Sequence, residues 1–311
     1  LYDVQDENGE VALCTLSAVN LGALDSLDEL EDITEIIVRS LDSLLDYQDY
    51  PLKAAELTSK NRRTLGIGVT NLAYYLAKNN AKYSDGSGNE LIHKTFEALQ
   101  FYSLKASNKL ANDFGACPLF SETQYAKGIL PVDSYKKDID EFCDTKLDLD
   151  WDSLRKDIKA TGLRNSTLTA LMPCESSSQI SNSTNGIEPP RGFVSIKQSK
   201  DGILKQVVPD YEKLHKKYEL LWDIKDNEGY LQLCAIMQKF VDQSISTNTH
   251  YDPSLFEGGK VPMKLFLMDL LKAYKYGIKT LYYHTTRDGA SDDQNNNKST
   301  DDDCEDGVCK L

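Results

Sequence analysis

The sequence has little of what several common classes of functional site require. It contains four histidines, none spaced with a cysteine or glutamate as metal ligands would be, so no metal site is expected. No apolar run approaches the roughly 18 residues that cross a bilayer, and no charged-then-apolar leader opens the chain, which predicts a cytoplasmic protein without a membrane partner. Basic side chains are outnumbered, 35 to 49, and the net charge of −14 argues against a nucleic-acid partner.

Cysteines are few and mostly isolated. Seven are present, and only Cys304 and Cys309 lie close together. This spacing favours neither a secreted disulfide framework nor a zinc site, and most of the cysteines are expected to be buried and inert. The terminal pair encloses a glycine and could close a small disulfide loop, or it could simply belong to a solvated tail. Cys14, taken alone, is typical of a buried thiol.

Apolar periodicity predicts alternating helices and strands. Helices are predicted at 26–47, 89–112, 209–222, 229–245 and 262–276, and residues 66–78 are predicted to be a strand end or turn that enters a helix. Short apolar segments predict buried strands at 11–16, 167–172 and 278–283. This alternation indicates an α/β fold with parallel pairing over residues 1–285. Residues 286–311 are too polar to offset their ordering entropy and are predicted to form a disordered tail.

Two further segments have patterns that suit electron transfer or phosphate binding. Tyr282-Tyr283 ends a strand-like segment and is either two core aromatics or a stacked pair for one-electron transfer. Neighbouring strand residues point to opposite faces, so stacking would need an irregular backbone there. Ser176-x-x-Gln179 matches a capping box at a helix start. It predicts either an ordinary capped helix or a phosphate-binding site formed by backbone N–H groups and hydroxyls.

Four motifs occur together along the chain. They are Leu13-Cys-Thr-Leu16, Pro173–Asn182 with Asn185–Gly192, Leu281-Tyr-Tyr283 followed by Thr286–Gly289, and Cys304-x4-Cys309. In this order they resemble the large (α) subunit of aerobic class I ribonucleotide reductase. The resemblance implies the C-terminal half of a ten-stranded α/β barrel that reduces ribonucleoside diphosphates to deoxyribonucleoside diphosphates. No cofactor is expected in this chain, because a tyrosyl radical and a diiron or related metal centre belong to a separate small subunit.

The resemblance also implies roles for cysteines and tyrosines. Cys14 corresponds to one of two cysteines that reduce the substrate. Tyr282 and Tyr283 correspond to a stacked pair on the path of the radical. Cys304 and Cys309 correspond to a mobile pair that re-reduces the active-site disulfide and is itself restored by thioredoxin or glutaredoxin.

A substrate-binding turn is implied at the start of the predicted helix after residue 173. Glu175, Ser176 and Ser177 correspond to a turn that holds the substrate diphosphate, with the Glu175 backbone rather than its charge making the contact. Cys174 stands in the same turn, where the family commonly has serine. This cysteine is expected either to weaken one contact with the diphosphate or to place an additional thiol beside it.

The family's hydrogen-abstracting cysteine lies in an Asn-x-Cys-x-Glu motif that these 311 residues do not contain. Three hypotheses follow. The chain is part of a reductase that needs a complementary N-terminal large-subunit chain, a non-catalytic module that binds the small subunit, or a thiol–disulfide carrier that uses only its tail. The helix at 262–276 bears apolar residues on more than one face. It is either a buried barrel helix or part of a groove for the small subunit's C-terminal peptide.

Overall fold

A computed structural model describes residues 9–199 and 202–287, with the side chains of 197–199 and 203 left aside. Within these ranges, helices separate most of the strands, as the α/β class requires. The strands are β1 (Thr15–Asn20), β2 (Leu65–Thr70), β3 (Val194–Ser199), β4 (Gly202–Val207), β5 (Thr247–Tyr251) and β6 (Leu281–Thr286). The α-helices are α1 (Glu29–Tyr47), α2 (Lys53–Arg62), α3 (Leu72–Lys78), α4 (Asn89–Phe114), α5 (Trp151–Thr161), α6 (Glu175–Ile180), α7 (Tyr211–Leu214), α8 (Glu228–Gln238) and α9 (Met263–Lys275).

Parallel pairing links successive extended segments across the fold. β1 pairs in parallel with β2 along its whole length. A parallel bridge between Ile67 and Thr169 joins β2 to the segment 167–171, and another between Leu171 and Ile245 joins that segment to the residues just before β5. β5 pairs in parallel with β6. The predicted parallel pairing is therefore confirmed, and β1 and β6 each have one paired neighbour among the described residues.

The segment predicted as a strand at 167–172 makes only isolated bridges. The carboxylate of Asp242 accepts the backbone N–H groups of Leu168 at 2.8 Å and Thr169 at 2.9 Å. It also accepts the Tyr125 hydroxyl at 2.7 Å. Because a side chain takes these two N–H groups, they are not available to a neighbouring strand, and the regular ladder is interrupted.

Two predicted strands lie further along the chain than expected. β1 begins at Thr15 rather than at residue 11, because the Val11 N–H donates to the Thr58 hydroxyl on α2 at 3.0 Å, away from β2. β6 begins at Leu281 rather than at residue 278, because the preceding residues still close the end of α9. β6 also runs to Thr286, the first residue of the predicted tail.

The helices predicted at 26–47, 89–112 and 262–276 are confirmed within a few residues as α1, α4 and α9. Residues 66–78 form the end of β2 followed by α3, so the predicted strand end entering a helix is confirmed. Two other helices are shorter than predicted. α7 covers only four residues, and α8 ends at Gln238 rather than at residue 245. The Gln238 side chain donates to the carbonyls of Val241 and Gln243, at 3.0 and 2.9 Å. These bonds stabilise the turn that ends α8.

The core lies between the parallel segments and the helices that pack on them. All six residues of β2 are buried, and α4 packs against α1, α5 and α8. β3 and β4 form an antiparallel hairpin that the helical and apolar patterns did not predict. The Asp-Gly dipeptide at 201–202 was the available signal, since such pairs favour hairpin turns. Throughout the described ranges, no helix is both long and apolar enough to cross a membrane.

Candidate active site

The Tyr282–Tyr283 pair lies on the surface of the described fold. The ring centroids are 4.1 Å apart and the ring planes are inclined by 49°. Tyr282 is 50% exposed and Tyr283 58% exposed. The interpretation of these residues as core aromatics is therefore wrong. The two rings are in contact, as a paired arrangement requires, and their role in electron transfer stays a prediction.

A bulge in β6 explains how adjacent strand residues can stack. Thr247 faces Leu281, but Thr249 faces His284. One residue of β5 between these pairs therefore lies opposite two residues of β6, which are the two tyrosines. Such an insertion bends the strand and lets one side chain be redirected. The irregular backbone predicted from the stacking requirement is present here.

The bulge leaves a backbone N–H outside the ladder, and a side chain accepts it. The N–H of Tyr283 donates to Oδ1 of Asn248 on β5, at 2.9 Å. The Nδ2 group of Asn248 donates to the carboxylate of Glu188. Burial raises the pKa of the Glu188 carboxyl, while the hydrogen bond from Asn248 opposes that shift. The sequence analysis assigned no role to Glu188 or Asn248.

Cys14 lies immediately before β1 and reaches solvent. Its interpretation as a buried thiol is therefore wrong, whereas the other four described cysteines are buried as expected. Partial burial of the sulfur still raises the pKa of the Cys14 thiol, which keeps it protonated at neutral pH. A Cβ added at Gly66 of β2 would lie 3.4 Å from this sulfur and 2.6 Å from the Leu16 side chain, so glycine leaves room for both.

The predicted phosphate turn is the start of α6, although the helix begins earlier than the capping-box pattern indicated. Cys174 rather than Ser176 occupies the N-cap position, and no side chain caps the helix. The first helical hydrogen bond joins the Ser178 N–H to the Cys174 carbonyl at 2.8 Å. The backbone N–H groups of Ser176 and Ser177 therefore precede the helical ladder, and both side chains are exposed.

Cys174 faces away from this exposed turn. Its thiol is buried and contacts the carbonyls of Met172 at 3.5 Å and Val69 at 3.6 Å. Its backbone N–H donates to Oδ1 of Asn185 at 2.8 Å. Burial raises the pKa of the Cys174 thiol. The bond from its backbone N–H to Asn185 places Cys174 at the start of α6.

The loop 182–190 fastens this turn to the carboxyl ends of β1 and β2. Asn71, just after β2, donates from Nδ2 to Oδ1 of Asn20 at the end of β1, at 2.9 Å. Its Oδ1 accepts the N–H of Thr184 at 3.0 Å. Ligands of parallel sheets bind at the carboxyl ends of the strands, which is where α6 begins.

The predicted turn and the tyrosine pair are connected through residues that the sequence did not indicate. The charge of Glu175 adds to the raised pKa of the Glu188 carboxyl, and Glu188 bonds Asn248, which bonds Tyr283. Cys304 and Cys309 lie outside the described residues. In the ranges described, no group of three or more His, Cys, Asp or Glu side chains is arranged to hold a metal ion.

Comparison with known proteins identifies the family to which the chain is similar. The family described as "Ribonucleotide reductase, barrel domain" matches residues 2–284. The α subunit of ribonucleoside-diphosphate reductase from Haemophilus influenzae is 67% identical over 311 residues, which is all of this chain and 41% of that protein. The α subunit of ribonucleoside-diphosphate reductase 1 from Escherichia coli K12 is 66% identical over 269 residues, which is 86% of this chain and 35% of that protein.

A more distant relative agrees with these two. The α subunit of ribonucleoside-diphosphate reductase from enterobacteria phage T4 is 50% identical over 314 residues, covering 99% of this chain and 41% of that protein. The chain therefore spans about two fifths of the length of the curated relatives it matches. With the family match extending from residue 2 to residue 284, the chain belongs to the ribonucleotide reductase barrel-domain family.

Proposed function

We propose that this chain is the C-terminal part of the large subunit of a ribonucleoside-diphosphate reductase and takes part in reducing ribonucleoside diphosphates to deoxyribonucleoside diphosphates. The exposed tyrosine pair on a strand bulge, with its two rings in contact, is the observation that carries the proposal. Two oxidisable rings in contact at a surface suit the relay of single electrons between subunits. The names of relatives at 50–67% identity support the same reaction.

Tyr282 and Tyr283 relay an oxidising equivalent in this proposal. It comes from a separate small subunit, which holds a tyrosyl radical and a diiron or related metal centre, and it reaches a cysteine that abstracts the substrate's 3′ hydrogen. Cys14 and a second cysteine then supply two electrons, and the two thiols become a disulfide. The raised pKa of the Cys14 thiol favours the protonated form, which can supply a proton as well as an electron.

The turn at the start of α6 binds the substrate diphosphate. The exposed hydroxyl of Ser176 and the backbone N–H groups that precede the helical ladder are suited to phosphate oxygens. The Ser177 hydroxyl donates to the Cys174 carbonyl at 3.2 Å and would rotate away from it to reach a phosphate. Glu175 would contribute through its backbone, because its carboxylate repels an anion. Cys174 would contribute only the fixed geometry of the turn, since its thiol is buried against Val69 and Met172.

Cys304 and Cys309 act as the tail shuttle in this proposal. They exchange with the active-site disulfide and are restored by thioredoxin or glutaredoxin. A thiol carrier that needs only this tail is the competing hypothesis, and it makes no use of Tyr282, Tyr283 or Cys14. Variants at those three positions therefore separate the two hypotheses.

The described fold supports the assignment of this chain to one half of a ten-stranded barrel. Its parallel extended segments follow one another in chain order, and β1 and β6 each have one paired neighbour within the described ranges. A complementary N-terminal chain could pair with both edges and supply the Asn-x-Cys-x-Glu loop. The proposal therefore assigns catalysis to the assembled subunit rather than to these 311 residues alone.

The chain mixed with the small subunit alone is expected to form no deoxynucleotide, because the hydrogen-abstracting cysteine is missing. Addition of a chain that carries the Asn-x-Cys-x-Glu loop is expected to restore turnover, measured as deoxyribonucleoside diphosphate formed with a dithiol reductant. A Cys→Ser change in that loop serves as the control and should return the mixture to background. Turnover by the 311-residue chain and the small subunit without the third component would contradict the proposal.

An exposed apolar face on α9 supports a role for this helix in binding the small subunit. The alternative of a fully buried barrel helix is wrong, because only two residues of α9 are buried, Asp269 and Ala273. The apolar residues that reach solvent are Met263, Leu267, Met268, Leu270, Leu271 and Tyr274. An apolar face of this size suits an amphipathic peptide, such as the C-terminal segment of the small subunit. This face also keeps open the hypothesis of a non-catalytic small-subunit-binding module.

Leu271→Asp is expected to weaken small-subunit binding by about tenfold or more, because a charge would enter an apolar contact of the kind that dominates interfaces. Leu271 is 60% exposed, so the stability of the chain should change little. Ile36→Asp on α1 is a matched control, because Ile36 is 66% exposed and lies on another helix. Equal affinity of the two variants for the small subunit, measured by calorimetry, would rule out α9 as the binding face.

A further inference from the structure

The loop that holds the substrate-binding turn also reaches the tyrosine pair. At one end, Asn185 accepts the backbone N–H of Cys174, the residue that begins α6, at 2.8 Å. Three residues later, Glu188 accepts the Nδ2 group of Asn248 on β5. Asn248 in turn accepts the N–H of Tyr283 at 2.9 Å. A continuous set of hydrogen bonds therefore connects α6 with the bulge in β6.

The bulge requires such an acceptor. A bulge removes one residue from the regular ladder, and an unpaired backbone N–H favours any backbone that lets it pair. Without Asn248, a regular β6 would regain its ladder bond by losing the bulge. The two rings would then point to opposite faces of the strand and could not stack. The stacking of Tyr282 on Tyr283 therefore depends on an acceptor at this position.

Glu188 determines which atom Asn248 presents to the bulge. An asparagine side chain has one acceptor end and one donor end. The donor end faces the Glu188 carboxylate, which accepts hydrogen bonds when ionised. The acceptor end therefore faces Tyr283. A rotated amide would place a donor against the Tyr283 N–H and another acceptor against the carboxylate, so both contacts favour the observed orientation.

We infer that Asn248, oriented by Glu188, is a positioning residue for the Tyr282–Tyr283 pair and keeps the two rings in contact for electron transfer. The inference rests on the proposed reductase function for its effect on turnover. The geometric effect on the bulge does not depend on that function. Because the same loop holds Cys174, the positions of the substrate turn and the tyrosine pair are linked through Glu188.

Asn248→Leu keeps the approximate size of the side chain and removes both hydrogen bonds. In the complete complex we expect a loss of kcat of about 10- to 100-fold, because misplacement of reacting groups by about 1 Å costs that much. The substrate KM should stay within about twofold of the parent, since Asn185 still accepts the Cys174 N–H that holds the start of α6. Hydrogen exchange at the Tyr283 amide should become faster, while exchange in β2 should be unchanged.

Glu188 provides the second test. Glu188→Leu removes the partner of Asn248 and should lower kcat in the same way, whereas Glu188→Gln keeps an acceptor oxygen and should recover most of that loss. Asn112→Leu on the exposed end of α4 is the control for an asparagine-to-leucine change, and its kcat should equal that of the parent. A merely structural role predicts instead that all losses follow the melting temperature and that Gln does not rescue.

The outcomes separate this inference from the proposed function. If the parent complex forms deoxynucleotide but Asn248→Leu has parental kcat and parental exchange at Tyr283, the positioning role is wrong and the function stands. If the parent complex forms no deoxynucleotide, the proposed function fails. Faster exchange at Tyr283 in Asn248→Leu would then still support the structural part of the inference, and unchanged exchange would overturn it.

Discussion

Tyr282→Phe and Tyr283→Phe are each expected to abolish deoxynucleotide formation by the assembled enzyme. Phenylalanine is much harder to oxidise than tyrosine, so either change removes one step of the relay while keeping the ring and its packing. Both residues are at least half exposed, and the loss of one hydroxyl should cost at most about 0.5–1.5 kcal/mol of unfolding free energy. The measurements are turnover, substrate binding and melting temperature for each variant in the complete complex.

Tyr47→Phe is a suitable control for these variants. Tyr47 ends α1, is 88% exposed and has no part in the proposed relay, so its Phe variant should have the turnover of the parent. Near-parental turnover in Tyr282→Phe or Tyr283→Phe would remove that tyrosine from the path. Loss of turnover together with unfolding would also fail to support the relay.

Cys14→Ser is expected to abolish repeated turnover with every reductant, because the serine hydroxyl cannot form the active-site disulfide. Cys304→Ser or Cys309→Ser should abolish turnover driven by thioredoxin but retain turnover driven by a small dithiol that diffuses to the disulfide directly. The two patterns distinguish a reactant from a shuttle. Each variant would be measured with both reductants under otherwise identical conditions.

Cys143→Ser provides the matched control for a thiol-to-hydroxyl change. The Cys143 thiol lies within 3.8 Å of the Asn89 carbonyl and 3.6 Å of the Thr145 hydroxyl, surroundings that also suit a hydroxyl. Its turnover should follow the parent with both reductants. The assignment would be refuted if Cys14→Ser and Cys304→Ser lost the same fraction of activity when the small dithiol is used.

The sequence predicted features that depend on local pattern. The alternation of side chains along a strand was enough to show that stacking of Tyr282 on Tyr283 needs an irregular backbone, and β6 has a bulge there. The apolar spacing of α1, α4 and α9 likewise predicted their positions, because helical periodicity is set by the chain's own geometry. The motifs that carry the family resemblance were also readable without the fold.

Features that depend on distant partners could not be predicted. Asn248 lies 35 residues before Tyr283, and no local pattern indicates that its side chain completes the bulge. The capping-box pattern at Ser176 was misleading because Asn185 fixes the Cys174 backbone and starts α6 earlier. Cys14 lies in an apolar segment that predicts burial, yet it is exposed, as are its neighbours Leu13 and Leu16, because it precedes the paired part of β1, which begins at Thr15.

Among the described residues, β1 and β6 each have one paired neighbour, and this affects how the proposed enzyme would assemble. Unpaired strand edges bind other strands, and the binding partner can be the correct one or another exposed edge. If the other half is a separate chain, completing the sheet is a bimolecular reaction, and the fraction of active enzyme depends on the concentrations of both chains. Dilution would then inactivate the enzyme without unfolding either half, and synthesis of one half in excess would favour aggregation over activity.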